Sequence, residues 1–332
     1  MKVLIIGLGV IGTTYGYVLQ KEGHKVEHLI RDSKKAFVPE NINVKLLDGR
    51  FNNKGEEKND NYKIHIANKN SSYDFILVSV PAGKIEGVIR TLKENDINGT
   101  LIIFNGIWED KSYIENLFKG WEYILGYPVA GGNISDHELN CCIFDHIMLE
   151  SKEKTNIKNY DKLLKLLSDC HIKAEIPFDM LEWIWIHMAI NAAVITNAGE
   201  YGDIKNTTEA AEYGDIKNTT EAAEKLMDSS KILSETIVTI RETVKIIASR
   251  NVNLKNYNNE LFAYKMPSKL AGIVMKRMFK NNQLTRRIMT LHNNINDLLY
   301  VCKNVYDCGK NNQMDAPLFS RKYNLLEKKI NC

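Results

Sequence analysis

Three glycines, Gly7, Gly9 and Gly12, lie between a short aliphatic run and an amphipathic stretch, and their spacing suits one kind of chemistry. In a G-x-G-x-x-G turn the first glycine permits a tight bend and the second lets the backbone approach a pyrophosphate. The third lets a helix pack closely on a strand. Free N–H groups at the start of that helix, with the positive end of its dipole, then face the phosphates. The flanking sequence supplies the context. Lys2 to Ile6 has the composition of a buried strand, Tyr15, Val18 and Leu19 share a helical face, Gly23 ends the helix, and Val26 to Ile30 is a second strand. We therefore expect Gly7, Leu8, Gly9, Val10, Ile11 and Gly12 to hold a dinucleotide. Just beyond the second strand stand Arg31 and Asp32. An arginine there can pair with a 2′-phosphate, whereas an acidic residue would hold a ribose 2′-OH. Arg31 is nearer the strand end, so NADPH is the expected cofactor. An ordinary solvated loop arginine is the competing reading.

A second candidate lies in the segment that opens at Pro177. Phe178 to Ile195 is strongly apolar and approaches the length of a membrane span, but Asp179, Glu182, His187 and Asn191 interrupt it. A buried core helix fits better. His187 and Asn191 are four residues apart and so share a face, one turn from each other. Each needs a hydrogen-bond partner, since burial without one costs about 1–3 kcal/mol. A polar substrate is one such partner; backbone groups of the core are the other.

These groups need elements to position them. Asp74 to Pro81 is an apolar run closing on a proline, a helix from about Lys84 to Lys93 follows, and further strands run over Leu101–Phe104 and Tyr123–Gly126. Weaker strand signals lie near Val44–Leu47 and Lys63–Ala67. Strands alternating with helices imply a Rossmann-type α/β domain with a doubly wound parallel sheet. Its ligands lie beyond the carboxyl ends of the strands. That rule gathers Ser79, Val80, Pro81, Asn105 and Val129–Gly131, with Ala130 among them, around the crevice of Gly7–Gly12. At 332 residues the chain accommodates two domains, read as 1–176 and 177–332, the second all-helical. A net charge of +3 gives no reason to expect a nucleic-acid partner. Six cysteines without a C-x-x-C pair or a zinc spacing read as reduced thiols of a cytoplasmic protein, with neither metal nor disulfides. No membrane attachment is expected, and self-association as a homodimer stays open.

Gly7–Gly12, Arg31, Phe104-Asn105-Gly106 after a strand, the Gly126–Gly132 segment and the Trp-rich helix ending His187-Met188-Ala189-Ile190-Asn191 resemble the ketopantoate reductase (2-dehydropantoate 2-reductase) family. The resemblance covers nearly the whole chain. It implies an N-terminal Rossmann domain that binds NADPH, a helical C-terminal domain, and a 2-keto acid in the cleft between them, as in pantothenate biosynthesis. It also implies an acid–base lysine one turn before an asparagine. Asn191 matches that asparagine, and Asn105 matches the residue that contacts nicotinamide and substrate. The lysine position holds His187, which marks an atypical member. A further asparagine falls on Ile195, Pro81 replaces a cationic residue with Lys84 nearby, and Asn282–Asn294, where a late Ser and Glu belong, contains no Glu. His187, Asn191 and Asn105 are the implied catalytic residues. The alternatives are a reductase of another carbonyl compound on the same fold, or a non-catalytic NADP(H)-binding sensor. Retention of Asn105, His187 and Asn191 favours an enzyme.

Glu200–Ala211 recurs unchanged as Glu212–Ala223. Asn206 or Asn218 can cap a helix with Glu209 or Glu221 three residues on, and a long helix from about Thr219 to Ser249 should follow. Further helices are expected near Pro267–Phe279 and Leu284–Val305, and Pro317–Ile330 reads as a terminal helix or tail. Arg286 or Arg287 could clamp a substrate carboxylate, although such basic runs are usually solvated faces.

Overall fold

The computed structural model describes residues 1–81, 83–202, 219–291 and 295–331. Two compact units emerge, Met1–Leu181 and Glu182–Cys332. The division falls a few residues beyond the 176/177 boundary read from sequence. Of the two repeat copies, the part at 203–218, with Asn206, Glu209 and Asn218, lies outside the described residues.

The first unit runs β1 (Lys2–Ile6), α1 (Val10–Lys21), β2 (Lys25–Leu29), α2 (Asp32–Lys35), β3 (Asn41–Asp48), β4 (Glu56–Lys63), β5 (Ser72–Val78), α3 (Ile85–Glu94) and β6 (Asn98–Ile103). It continues with α4 (Lys111–Leu117), β7 (Tyr123–Ser135), β8 (Glu138–Leu149), α5 (Tyr160–Asp169) and β9 (Lys173–Glu175). Its sheet has the order β2-β1-β5-β6-β7-β8-β3-β4, with β9 on β8. The stretch from β2 to β7 is parallel, as the alternation of strands and helices predicts. Beyond it the sheet is mixed: β7–β8 and β3–β4 are antiparallel, and β8–β3 is parallel.

That extension curls the sheet into a half-barrel. Its far end comes back to its near end, where Ile66 bridges His28 on β2. There the His28 N–H donates to the His65 carbonyl at 2.7 Å, and the Ala67 N–H to the His28 carbonyl at 2.9 Å. Helix α1 lies against the curled sheet, and Leu163, Leu166 and Leu167 of α5 join the same apolar core. Every residue from Gly12 to Leu19 is consequently buried, not only the face of Tyr15, Val18 and Leu19. Small residues permit this. A Cβ at Gly16 would stand 2.5 Å from the Tyr62 hydroxyl of β4.

Two strands departed from the sequence reading for physical reasons. β4 (EEKNDNYK) is a charged edge strand whose only fully buried residue is Tyr62, so its hydrophobic signal is almost nil. The strand expected at Lys63–Ala67 is therefore only its end and the bridge that follows. β7 does not stop at Gly126 but runs to Ser135 through a register shift between Pro128 and Ala130. Val129–Gly131 is thus the middle of a strand, not a strand end.

Among the described residues the regular elements of the second unit are all helices: α6 (Met180–Tyr201), which starts just before the unit boundary, α7 (Thr219–Met227), α8 (Ser230–Ala248), α9 (Asn258–Lys265), α10 (Ser268–Asn281), α11 (Gln283–Leu291), α12 (Ile295–Asn311) and α13 (Pro317–Asn331). The single helix expected over Thr219–Ser249 breaks at Asp228-Ser229, because Ser229 starts α8 as a cap by accepting the Ile232 N–H at 3.3 Å. The helix expected over Leu284–Val305 is likewise α11 and α12. Helix α8 packs against α7, α9, α10, α12 and α13, and side chains tie α6 to its neighbours. Asn197 donates to the Thr239 hydroxyl at 3.0 Å, the Tyr257 hydroxyl donates to Glu182 at 2.6 Å, and the Arg250 guanidinium lies 3.6 Å from the Trp185 ring centre. Lys322, fully buried on α13, is neutralised by Glu200 and Glu235.

Candidate active site

The parallel register of the first unit makes one edge out of several strand ends. Ile6 pairs with Leu29, Ile5 with Leu77, and Val78 with Ile103. Gly7–Gly12, Arg31, Ser79–Pro81 and Asn105 all follow those ends, so they lie along the same carboxyl edge. Val129–Gly131, which the sequence rule also counted among these ends, lie within β7 instead.

Each glycine of the turn has a separate structural reason. Gly7 has φ +76°, in the left-handed region that favours glycine, and its N–H donates to the Leu29 carbonyl at 3.0 Å. A Cβ at Gly9 would meet nothing nearer than the Ser79 carbonyl at 4.0 Å. Gly9 caps α1 with no side-chain hydrogen bond, and the first N–H groups of a helix have no partner within it. A Cβ at Gly12 would come within 2.6 Å of the Ile5 Cγ2, so helix and strand are pressed together there. An exposed bare backbone facing unpaired N–H groups is what a pyrophosphate requires.

Asn105 is 6% exposed. Its Nδ2 donates to the Val80 carbonyl, which fixes the side chain, and its Oδ1 is buried without a partner among the described residues. A buried acceptor left unmatched costs about 1–3 kcal/mol, and an amide N–H of a bound cofactor would remove that cost. Ser79 and Val80 are partly buried beside it; Pro81 and Lys84 are exposed. Ala130 is different: it is 7% exposed and belongs to the apolar core under α1. Arg31 is exposed at the start of α2. The Asp32 carboxylate is engaged by Lys35 at 2.8 Å, whose hydrogen bond and charge hold its pKa low.

Sequence reading missed His28. It is fully buried on β2, with Nδ1 2.7 Å from the Gly7 carbonyl and Nε2 2.6 Å from the Tyr62 hydroxyl. A histidine inside a strand carries no spacing signal, so only the fold reveals it. Burial pushes its pKa down to about 4, partly opposed by the bond to Gly7. Between the unfolded value near 6.5 and about 4 the unfolded chain therefore binds a proton that the folded chain refuses. The His28 share of stability should be full above pH ~6.5 and fall by about 3 kcal/mol as pH drops to ~4, on top of the loss from His187, whose pKa burial also lowers. Denaturant titrations across that interval test this, and His28→Asn should lose less stability over the same range.

In the second unit the partly accessible residues of α6 include Trp183, His187, Asn191 and Ile195, whereas Met188, Ala189, Ala192 and Ala193 are buried. His187 and Asn191 therefore share the face of α6 that keeps some access. The His187 ring stacks on Trp183 with centres 4.9 Å apart and planes 10° from parallel. Burial pushes its pKa down to about 4, so the imidazole is neutral at pH 7. Arg286 has other work: it grips Asp228 through two hydrogen bonds, at 2.8 and 2.9 Å. Among the described residues no cluster of His, Cys, Asp and Glu could hold a metal ion, and no helix is long and apolar enough to cross a membrane.

Residues 3–135 match the model of the ketopantoate reductase PanE/ApbA family. No curated protein matches the sequence. D-mandelate dehydrogenase, solved with NADH and anilino(oxo)acetate, superposes with a TM-score of 0.65 at 15% identity, over 99% of this chain and 98% of its own. A dimeric ketopantoate reductase from Staphylococcus aureus gives 0.57 at 12% identity, over 99% and 98%. Yersinopine dehydrogenase with NADP+ bound gives 0.61 at 10% identity, over 99% and 90%. At such identities the likeness is one of fold.

Proposed function

We propose that this chain, whose residues 3–135 match the ketopantoate reductase family model, uses NADPH to reduce a small 2-keto acid to a 2-hydroxy acid, with 2-dehydropantoate as the first substrate to test. The observation that carries the reading is one sheet edge with a left-handed Gly7, a bare Gly9 and a buried Asn105 whose Oδ1 lacks a partner among the described residues. A reduced nicotinamide, when bound, supplies hydride to the substrate's carbonyl carbon. The protein's own groups do the rest. N–H groups of Gly9–Gly12 hold the pyrophosphate, Arg31 the 2′-phosphate, and Asn105 the carboxamide, with Ser79, Val80, Pro81 and Lys84 along the same edge.

His187 gives the proton that the nascent alkoxide oxygen needs, and Asn191, one turn on, holds the substrate's polar groups. The low pKa of His187 fits this role if the substrate supplies the missing charge. A bound carboxylate favours the imidazolium, as does the Trp183 face stacked on the ring. A homodimer is the assembly to look for, by analogy with the dimeric relative.

The test is loss of reduced-nicotinamide absorbance against a panel of 2-keto acids and other ketones, with NADPH and NADH in parallel. Tight NADPH binding without turnover of any of them would leave the sensor reading. The Arg31 assignment has its own measure. A charge-assisted contact is worth about 1.5–3 kcal/mol, so NADPH should be preferred over NADH by tenfold or more. Arg31→Ala should erase most of that preference. Equal affinity for both cofactors in the unaltered protein would overturn it.

A further inference from the structure

We propose that His28 is a positioning residue for the cofactor turn: its imidazole Nδ1–H holds the Gly7 carbonyl so that the peptide after Gly7 presents its N–H outward. The proposal rests on the reading of that turn as a nicotinamide dinucleotide site.

The hydrogen-bond chemistry leaves one arrangement. The Gly7 carbonyl can only accept, so His28 Nδ1, 2.7 Å away, carries the proton. The neutral ring then has a bare Nε2, which accepts from the Tyr62 hydroxyl at 2.6 Å. Both side chains are 0% exposed, so no water competes for these positions. Space for the pair is reserved by Gly16, where a Cβ would lie 2.5 Å from the Tyr62 hydroxyl and 3.5 Å from His28 Nε2.

The consequence for the turn follows from peptide planarity. In a trans peptide the C=O and the N–H point in opposite directions. With the Gly7 oxygen drawn inward onto His28, the Leu8 N–H of the same plane points away from that buried ring. Gly7 sits at φ +76°, a region with room to rotate when nothing holds it. The anchor is itself rigid. His28 is the residue at which the two ends of the sheet meet through backbone bonds to His65 and Ala67, and Tyr62 belongs to the far end, on β4.

Four variants separate positioning from packing, read by NADPH titration and by thermal melting of the unliganded protein. His28→Leu should weaken NADPH about tenfold or more and lower the melting temperature, because it leaves the Gly7 carbonyl loose and the Tyr62 hydroxyl unmatched. The double variant His28→Leu/Tyr62→Phe removes both polar partners and should regain much of the melting temperature, yet its NADPH affinity should stay low. Tyr62→Phe alone keeps the Gly7 contact and should bind NADPH within about threefold of the unaltered protein. His28→Asn places an amide N–H near the Nδ1 position and should restore affinity over His28→Leu. If affinity in the double variant recovers together with stability, or His28→Asn binds no better than His28→Leu, the positioning role is wrong. An unaltered protein that is folded and binds neither NADPH nor NADH overturns the cofactor site itself, and the inference with it.

Discussion

His187→Ala is expected to slow the chemical step by about 10²–10⁴-fold while NADPH affinity changes by no more than a few-fold. The separation follows from the fold. The proposed cofactor contacts belong to the unit ending at Leu181, whereas His187 lies on α6 in the unit that begins at Glu182. His187→Gln should fail nearly as badly, since a glutamine keeps a hydrogen bond but has no proton to give at neutral pH. The pH profile carries the sharper signature. In the unliganded protein burial sets the His187 pKa at about 4. The protonated fraction, and with it kcat/KM, should then fall by about tenfold per unit as pH rises above that value. The substrate's carboxylate raises the pKa within the complex, so the alkaline limb of kcat should lie at higher pH than that of kcat/KM. His187→Lys should move both limbs upward. Removing the imidazole also strips Trp183 of its stacked neighbour, so rates must be taken per folded molecule, with melting measured on the same samples. A folded His187→Ala protein that reduces its substrate within a few-fold of the unaltered rate would end the acid–base assignment.

The parts legible in the sequence are those whose physics is local. The glycine turn, β1, β2, β5 and β6 announce themselves through apolar runs and fixed spacing, because buried parallel strands are nearly continuously aliphatic. Asn105 is legible through its place after such a strand. What escaped reading depends on partners distant in sequence. β4 is an edge strand of Glu, Asn, Asp and Lys that pairs with β3 through its backbone and offers only Tyr62 to the core. Without β4 in place the curl of the sheet is invisible, and with it the enclosure of α1 and the meeting of Tyr62 with His28. The continuation of β7 to Ser135 is masked by Gly126, Pro128, Gly131 and Gly132, which read as a turn but are tolerated in a long hairpin. The break between α7 and α8 needs a single serine cap inside an unbroken apolar periodicity. Arg286 shows the same limit at the level of function, since nothing local in the basic run reveals that Asp228 holds it.

The second large effect separates two glycines of the same motif. Gly9→Glu should abolish measurable NADPH binding, a loss of at least about 10²-fold or roughly 3 kcal/mol, while the unliganded protein melts as before. The fold tolerates the change because a Cβ at Gly9 would meet only the Ser79 carbonyl, at 4.0 Å. A carboxylate at the start of α1 is even favourable for the helix dipole. The same carboxylate would occupy the approach of a pyrophosphate and repel it. Gly12→Ala should behave in the opposite way. Its Cβ would press within 2.6 Å of Ile5 Cγ2, a branched side chain in the middle of the core with no free end to swing aside. Overpacking of this kind costs about 1–3 kcal/mol, so the melting temperature should drop, with NADPH affinity reduced only as far as α1 is displaced. Titration and melting of both variants decide the matter. If Gly9→Glu binds NADPH normally, the turn is not the pyrophosphate site; if Gly12→Ala melts like the unaltered protein, close packing of α1 on β1 is not what the third glycine provides.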